Sequence, residues 1–265
     1  ESFASACDEV GSGEYTGFSR SQSIESKADV MSQTNSSPVR QHDGSGPVLH
    51  SFEAACVISA IGLILLHAWR LLQHEAAWSW LTLLVILLAW PAADLVSGLV
   101  HWLADTWGQE SLPVIGPRFL RPFRVHHVTP MSFLECGFFD TNGDTALIGL
   151  PLLLSVYALP LDDLSGCLFA AFIVAFCVWA LPTNQIHQWA HMPEPPRWVA
   201  CLQRWGVILS PSTHQLHHLY PHTRYYCITT GWCNRWLDSM GFFRRLEQLV
   251  KQVTGFQPRA DEDSR

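Results

Sequence analysis

The chain has 265 residues, 48% of them hydrophobic and 15% charged, with a formal net charge of −7 and a mean hydropathy of +0.13. Soluble domains carry about 25% charged residues, so the deficit points to membrane-embedded segments, and the acidic balance offers no basic surface for nucleic acid. Thirteen histidines and twelve tryptophans stand out; histidine is the commonest metal ligand, and tryptophan favours the bilayer interface.

Residues 1–50 hold eleven serines, little apolar content and scattered acids, the composition of a disordered tail. The first residue is Glu1, which reads as a fragment, a processed form or a chain starting at Met31. A plastid transit peptide would be rich in serine but poor in acids, and Asp8, Glu9 and Glu14 argue against one. Residues 51–255 are expected to form the membrane domain, and 256–265 an acidic tail in which Asp261–Asp263 is a solvated end.

Four apolar segments follow in chain order, roughly Ala54–Leu72, Trp78–Trp102, Ala146–Leu161 and Leu164–Leu181. Each approaches or exceeds the ~20 residues a helix needs to cross ~30 Å of hydrocarbon. The third ends at Pro160 and Asp162–Asp163, which suggests a tight hairpin with the fourth. The expected class is therefore all-α: a polytopic membrane protein with about four transmembrane helices and a cytosolic histidine-rich region. Arg118, Arg121 and Arg124 lie between spans two and three, and Arg197, Arg204, Arg224, Arg235, Arg244, Arg245 and Lys251 follow span four. The positive-inside rule then places both termini and the 103–145 loop in the cytosol, with Arg70 the one dissenting charge. Trp78, Trp80, Trp102 and Trp107 bracket span two as interfacial anchors. The eight cysteines show no CxxC pair and read as small hydrophobes.

The histidines fall into clusters on that cytosolic side. On span two, Asp94, His101 and Asp105 are spaced by seven and four and share a helix face; a snorkelling polar helix end is the competing reading. Next come His126 and His127, whose side chains point ~100° apart on a helix and can serve two metals, or one metal and a hydrogen bond. At the end of span four, His187 and His191 stand at i,i+4, the spacing of a metal pair, but Gln188 replaces the glutamate of a zinc protease. The last cluster, His214, His217, His218 and His222, is the most specific. Nine imidazoles are too many for one ion and suit two. Asp94, Asp105, Asp140 and Asp144 are candidates to orient the rings, and Asn184 could add an amide oxygen. A nitrogen-rich donor set fits iron, zinc or copper rather than magnesium or calcium. His42, His50, His67 and His74 lie outside the clusters. Removing hydrogen from an unactivated alkyl carbon needs a redox metal and dioxygen, which favours a di-iron site.

These blocks resemble the Kua-type lipid desaturases, the family of plasmanylethanolamine desaturase, with the plastid phosphatidylglycerol palmitate trans-desaturases as a sister branch. They are D-L-V-S-G-L-V-H-W-L-A-D-T-W-G (94–108), R-P-F-R-V-H-H (121–127), F-D-T-N-G-D (139–144), N-Q-I-H-Q-W-A-H (184–191), H-Q-L-H-H (214–218), Y-C-I-T-T-G-W (226–232) and P-R-A-D (258–261), and the likeness runs from about residue 78 to 263. The resemblance implies insertion of a double bond beside the ether oxygen of a 1-O-alkyl phospholipid. It also implies two irons, dioxygen as co-substrate, electrons from cytochrome b5, and the endoplasmic reticulum membrane. Three departures stand out: Cys136 where the plasmanyl branch has a histidine, Val125 where a glutamate usually precedes the HH pair, and Thr213 in place of an extra histidine. The alternatives are a desaturase or hydroxylase acting on another lipid, and a non-enzymatic membrane metal-binding protein. Transporters keep their ligands near the bilayer midplane, which the extramembrane histidines do not match.

Overall fold

The computed structural model describes residues 46–259, and every regular element among them is helical. Helix α1 (Pro47–Leu72) opens with proline in its first turn, where the missing N–H and fixed φ suit a helix start. Residues 47–50, expected in the tail, therefore belong to the first helix, with Gly46 as its N-cap; residues 1–45 of that tail lie outside the described residues. Helix α2 (Trp80–Thr106) is capped by Ser79, whose hydroxyl accepts from Leu81 N at 3.2 Å. A π-helical turn (Gly116–Leu120) leads into α3 (Arg121–Val128), and a 3₁₀ turn (Pro130–Glu135) into α4 (Phe138–Ser155). Helix α5 (Leu164–Ala180) and α6 (Thr183–His191) are separated only by the turn at Leu181–Pro182. Four shorter helices complete the set: α7 (Arg197–Arg204), α8 (Pro211–Gln215), α9 (Trp232–Ser239) and α10 (Phe242–Thr254).

Among the described residues, three stretches are long and apolar enough to cross a membrane: Pro47–Leu72, Trp80–Thr106 and Leu164–His191. The third expected span does not join them. Its helix begins at Phe138 rather than Ala146, so Asp140, Asn142 and Asp144 occupy its first half, and it ends in a 3₁₀ turn at Val156–Ala158. The helix lies against α1 and α5 all the same. Small side chains line these seams: Cys56 and Ala60 meet Ala146 and Cys177, and Cys167 and Ala170 pack beside Leu71 and Val156. Small residues let membrane helices approach closely where burial in lipid gives no hydrophobic drive. Outward-facing Leu65, Leu83, Ile148 and Phe169 stay exposed, as expected of a surface solvated by hydrocarbon. Trp78 and Trp80 are exposed at the start of α2, as interfacial anchors should be. Trp102 is not: it is buried with Tyr226, Leu237 and Phe243, because the chain returns over that face of α2.

That return is the feature that positions the site. Residues 224–233 run antiparallel along α2 as a strap, held by side chains spaced along one helix face. Asp94 Oδ1 accepts from Thr230 N (2.7 Å) and Gly231 N (2.9 Å), and Oδ2 accepts from Cys233 N (3.0 Å). Ser97 Oγ accepts from Ile228 N at 3.0 Å, and His101 Nδ1 donates to Tyr226 O at 3.1 Å. Asn234 clamps the strap from the far side, bonding both the N–H and the carbonyl of Cys227 at 2.8 Å. Gly98 lets the two backbones touch, since a Cβ there would stand 2.5 Å from Cys227 Sγ and 3.2 Å from Cys227 N. Gly98→Val should therefore push the strap away and cost about 1–3 kcal/mol through overpacking. Thermal unfolding in detergent should register a lowered midpoint; an unchanged midpoint would mean the strap is not seated as described.

Candidate metal centre

Eight of the nine cluster histidines converge into two neighbouring donor groups. The first contains His126 from α3, His187 and His191 from α6, and His214 and His218 from the α8 turn. The second contains His101 and Asp105 from α2, His127 from α3, and His217. Within each group one nitrogen or oxygen per residue lies within 4.8 Å of all the others. Each His-His pair is divided between the groups: His126 and His218 face the first, His127 and His217 the second. The ~100° between adjacent helical side chains makes that division possible.

The fit to metal ions can be judged from the nitrogens. His214 Nε2 lies 2.8 Å from His187 Nε2, 2.7 Å from His191 Nε2 and 3.0 Å from His218 Nε2. A neutral imidazole carries one N–H and one lone pair, so one ring nitrogen cannot satisfy three others by hydrogen bonding. In the second group, His217 Nδ1 donates to Arg224 O (2.8 Å) and His101 Nδ1 to Tyr226 O (3.1 Å). In the neutral rings this leaves the Nε2 lone pairs of both pointing at the Asp105 carboxylate, 3.5 and 3.3 Å from Oδ2. His127 Nε2 is also 3.3 Å from that oxygen. Lone pairs aimed at lone pairs repel unless a cation lies between them. Buried His101 Nε2 and both Asp105 oxygens have no hydrogen-bond partner. The residues present thus fit metal ions in both groups, and their nitrogen-rich donor sets suit iron, zinc or copper.

The other candidates from the sequence fall elsewhere. Asp105 was expected to orient rings from behind; its Oδ2 instead converges with the imidazole nitrogens. The orienting partners of His101 and His217 are the strap carbonyls of Tyr226 and Arg224, which no local spacing announces. Asp94 reaches no histidine, because its carboxylate takes three backbone N–H groups of the strap. His222 stands outside both groups, its Nδ1 on His217 O at 3.2 Å and its ring 4.6 Å from that of His127. The helix ends at Gln215, so continuing its pitch to His222 misplaces that ring. Asn184 donates to Thr141 O (3.2 Å) and Thr145 Oγ1 (3.0 Å). Gln188, notable in the sequence only for not being glutamate, ties α6 to the loop after α3: its Nε2 donates to Phe133 O (2.7 Å) and Cys136 O (3.0 Å), while Gln185 donates to its Oε1 (2.7 Å).

Beside the first group lies a cavity of about 440 Å³, within the range of ligand pockets. Its wall includes His126, His187 and Asn184, an apolar stretch with Val100, Ile148 and Phe176, and a charged end with Arg118, Asp140 and Asp144. A membrane protein so built defines a site where a metal ion and an apolar chain would meet.

A family model for the lipid desaturase domain matches residues 90–261. The chain is 40% identical to plasmanylethanolamine desaturase of Myxococcus xanthus over 84% of its own length and 82% of the relative's. It is 42% identical to plasmanylethanolamine desaturase 1 of Mus musculus over 76% and 74%, and 33% identical to the chloroplastic fatty acid desaturase 4 of Arabidopsis thaliana over 63% and 51%. No solved structure matches it. The chain belongs to the lipid desaturase family. It is accordingly an oxidoreductase, a desaturase of lipids.

Burial, reinforced by neighbouring imidazoles, holds His126 and His214 well below the ordinary histidine range and His218 down at about 2. These rings stay neutral in the folded chain, whereas unfolded histidine takes a proton near pH 6.5. The unfolded state therefore binds more protons below that pH, and stability present above it is lost as pH falls toward the folded values. Metal-free protein should unfold at a lower temperature at pH 5 than at pH 7.5, and His214→Ala should flatten that dependence. Metal analysis should give two ions per chain for the intact protein. His214→Ala should lower that number through the first group, and Asp105→Asn through the second.

Proposed function

We propose that this desaturase forms a vinyl ether, introducing the double bond beside the ether oxygen of a 1-O-alkyl phospholipid with an ethanolamine headgroup. The observation that carries the reading is the cavity, whose single wall joins a charged end, two histidines of the first donor group and a long apolar surface. The reacting carbons of an ether lipid lie next to its glycerol, so charged groups and metal ligands must stand close together, as Arg118, Pro122 and His126 do along one segment. The two relatives named as plasmanylethanolamine desaturases support the same substrate.

His126, His187, His191, His214 and His218 would hold one iron, and His101, His127, His217 and Asp105 the other. Two irons so held would supply, with dioxygen, the oxidising power to remove hydrogen from an unactivated carbon. The chain's own residues do the rest. Phe123, Phe133 and Phe176 on the cavity wall exclude water from the alkyl chain. Gln188 locks the loop bearing Phe133 and Cys136 against α6 and so fixes the part of the wall beside His126 and His187. His101 and His217 keep their Nδ1 protons on the strap carbonyls, which aims Nε2 at the centre.

Exposed arginines after the last apolar stretch (Arg197, Arg204, Arg235, Arg244 and Arg245) favour a cytosolic face for the site under the positive-inside rule. That side suits cytochrome b5 as electron donor in the endoplasmic reticulum membrane.

The test is lipid mass spectrometry, with and without acid treatment, on cells lacking plasmanyl desaturase activity. The intact chain should yield acid-labile vinyl ethers and His187→Ala none. A fully iron-loaded protein that makes no vinyl ether would redirect the assignment to another lipid, such as phosphatidylglycerol palmitate. Cys136 lies on the same wall, and burial pushes its thiol up to about 11, so it is neutral. Cys136→His should keep or raise product formation; a variant that loses its iron would count against that.

A further inference from the structure

Helix α9, which holds the strap from its far side, wears its polarity in reverse. Beside buried Leu237 it turns Asn234 and Asp238 inward. Asn234 bonds both backbone groups of Cys227, and Asp238 Oδ1 accepts from Tyr225 N at 3.4 Å. Outward it turns Trp232, Trp236 and Met240, spaced by four along one face and all exposed, Trp236 by 72%. Exposed Arg235 borders them. A helix lying against water carries the opposite arrangement, with polar groups outward. Helix α10 adds an outward stripe of Arg245, Leu249 and Val253, again spaced by four and exposed. Neither stripe contains a carboxylate, although the formal net charge of the chain is −7.

Trp232 fixes the depth at which this face lies. Its ring is 4.5 Å from that of Trp90, which stacks on Trp179 at 4.2 Å with 8° between the planes. Trp90 belongs to α2 and Trp179 to α5, both within stretches long and apolar enough to span. Cys233 Sγ donates to Pro91 O of α2 at 3.6 Å. Helix α9 thus starts beside the spanning helices rather than above them. Its outward face continues their surface at a level marked by clustered tryptophans, the residue that gathers at the bilayer interface. Apolar and aromatic groups bordered by arginine, at that level, fit a helix lying in the plane of an acidic bilayer surface. We propose that α9, with the Arg245 stripe of α10, binds acidic phospholipids of the leaflet on the site's side. Trp232, Trp236 and Met240 enter the interface, and Arg235 and Arg245 meet lipid phosphates. Because Asn234 and Asp238 grip the strap from within, this contact seats the strap whose carbonyls hold His101 and His217. It does not depend on which lipid is desaturated.

Two measurements on the full-length protein test this. In nanodiscs, the emission of Trp236 is isolated as the difference between the intact chain and Trp236→Phe. Phospholipids brominated in the upper part of their chains should quench most of that difference emission, and aqueous iodide should leave it. Separately, the protein is extracted into native nanodiscs from membranes of equal phosphatidylserine and phosphatidylcholine, and retained lipids are counted by mass spectrometry. The intact chain should enrich the acidic lipid, and high salt should reduce that enrichment. Arg235→Gln should lower it by up to about fivefold, the contribution of one basic group at an acidic bilayer surface. Arg235 is exposed and does not line the cavity, so that change reports on α9 and not on substrate. Quenching of Trp236 by iodide and not by brominated lipid overturns the inference, since the face then meets water or a soluble partner. Lipids retained in the membrane's own proportions overturn it as well, as does an enrichment that Arg235→Gln leaves unchanged. Shielding from both quenchers in particles holding two chains also overturns it, by making α9 a contact between copies.

Discussion

Imidazole nitrogens packed 2.7–3.0 Å apart in a buried pocket repel one another in almost every protonation state. Protonated rings add like charges, and neutral rings run out of N–H groups, because each has only one. The arrangement is stable when a cation takes the lone pairs and uphill when none is present. Everything around the site can be understood as work against that repulsion. Gln188 pins α6 to the loop that carries the chain away from His126 and His127. Asp94, Ser97 and Asn234 pin the strap whose carbonyls hold the far nitrogens of His101 and His217. The protein spends buried polar residues, three backbone N–H groups on Asp94 among them, on holding a geometry that only bound metal would reward. Such pre-organisation is what lets a site select ligand number before the ion arrives.

Spacing within one helix reveals which side chains share a face, and that part of the site was legible in the sequence. His187 with His191, and His214 with His218, do converge in one group, and the two rings of the HH pair are divided between the two groups. What spacing cannot reveal is what faces the helix from elsewhere. The Tyr226 carbonyl meets His101 across 125 residues of chain, and a backbone carbonyl carries no residue-type signal at all. Asp94 and Asp105 read alike on a helical wheel, yet one meets the strap and the other the histidines, because the strap ends before Asp105. Glu53 left no mark in the sequence reading either. A single acid at the edge of an apolar run is usually a solvated helix end, and only the close approach of Gly143 on α4 turns it into a buried carboxylate.

The same distinction explains the helix count. A hydropathy window averages Asp140, Asn142 and Asp144 with the loop before them and begins the third span at Ala146. The backbone begins the helix at Phe138, since Asp140 accepts from the N-terminal Gly137 N–H at 3.3 Å and continuing the helix satisfies the remaining amides. Two of the polar residues omitted from the predicted span, Asp140 and Asp144, lie at the charged end of the cavity, so the departure from a plain membrane helix coincides with the cavity wall.

Helix α2 carries these demands on adjacent faces. Asp94, Ser97 and His101 face the strap and the second donor group. Val96 and Val100, one position round, line the cavity and remain exposed. Ile148 and Leu152 do the same from α4, so the apolar part of the cavity is open at the surface between these two helices. An alkyl chain arriving from hydrocarbon would enter there sideways without crossing water, while its polar end met Arg118, Asp140 and Asp144. Turning α2 by one residue, about 100°, would swap these roles and put a valine against the metal ligands and a carboxylate into lipid. The strap's hydrogen bonds to Asp94 and Ser97 therefore do more than stabilise the fold: by fixing the rotation of α2, they fix which of its side chains line the cavity and which face the donor groups.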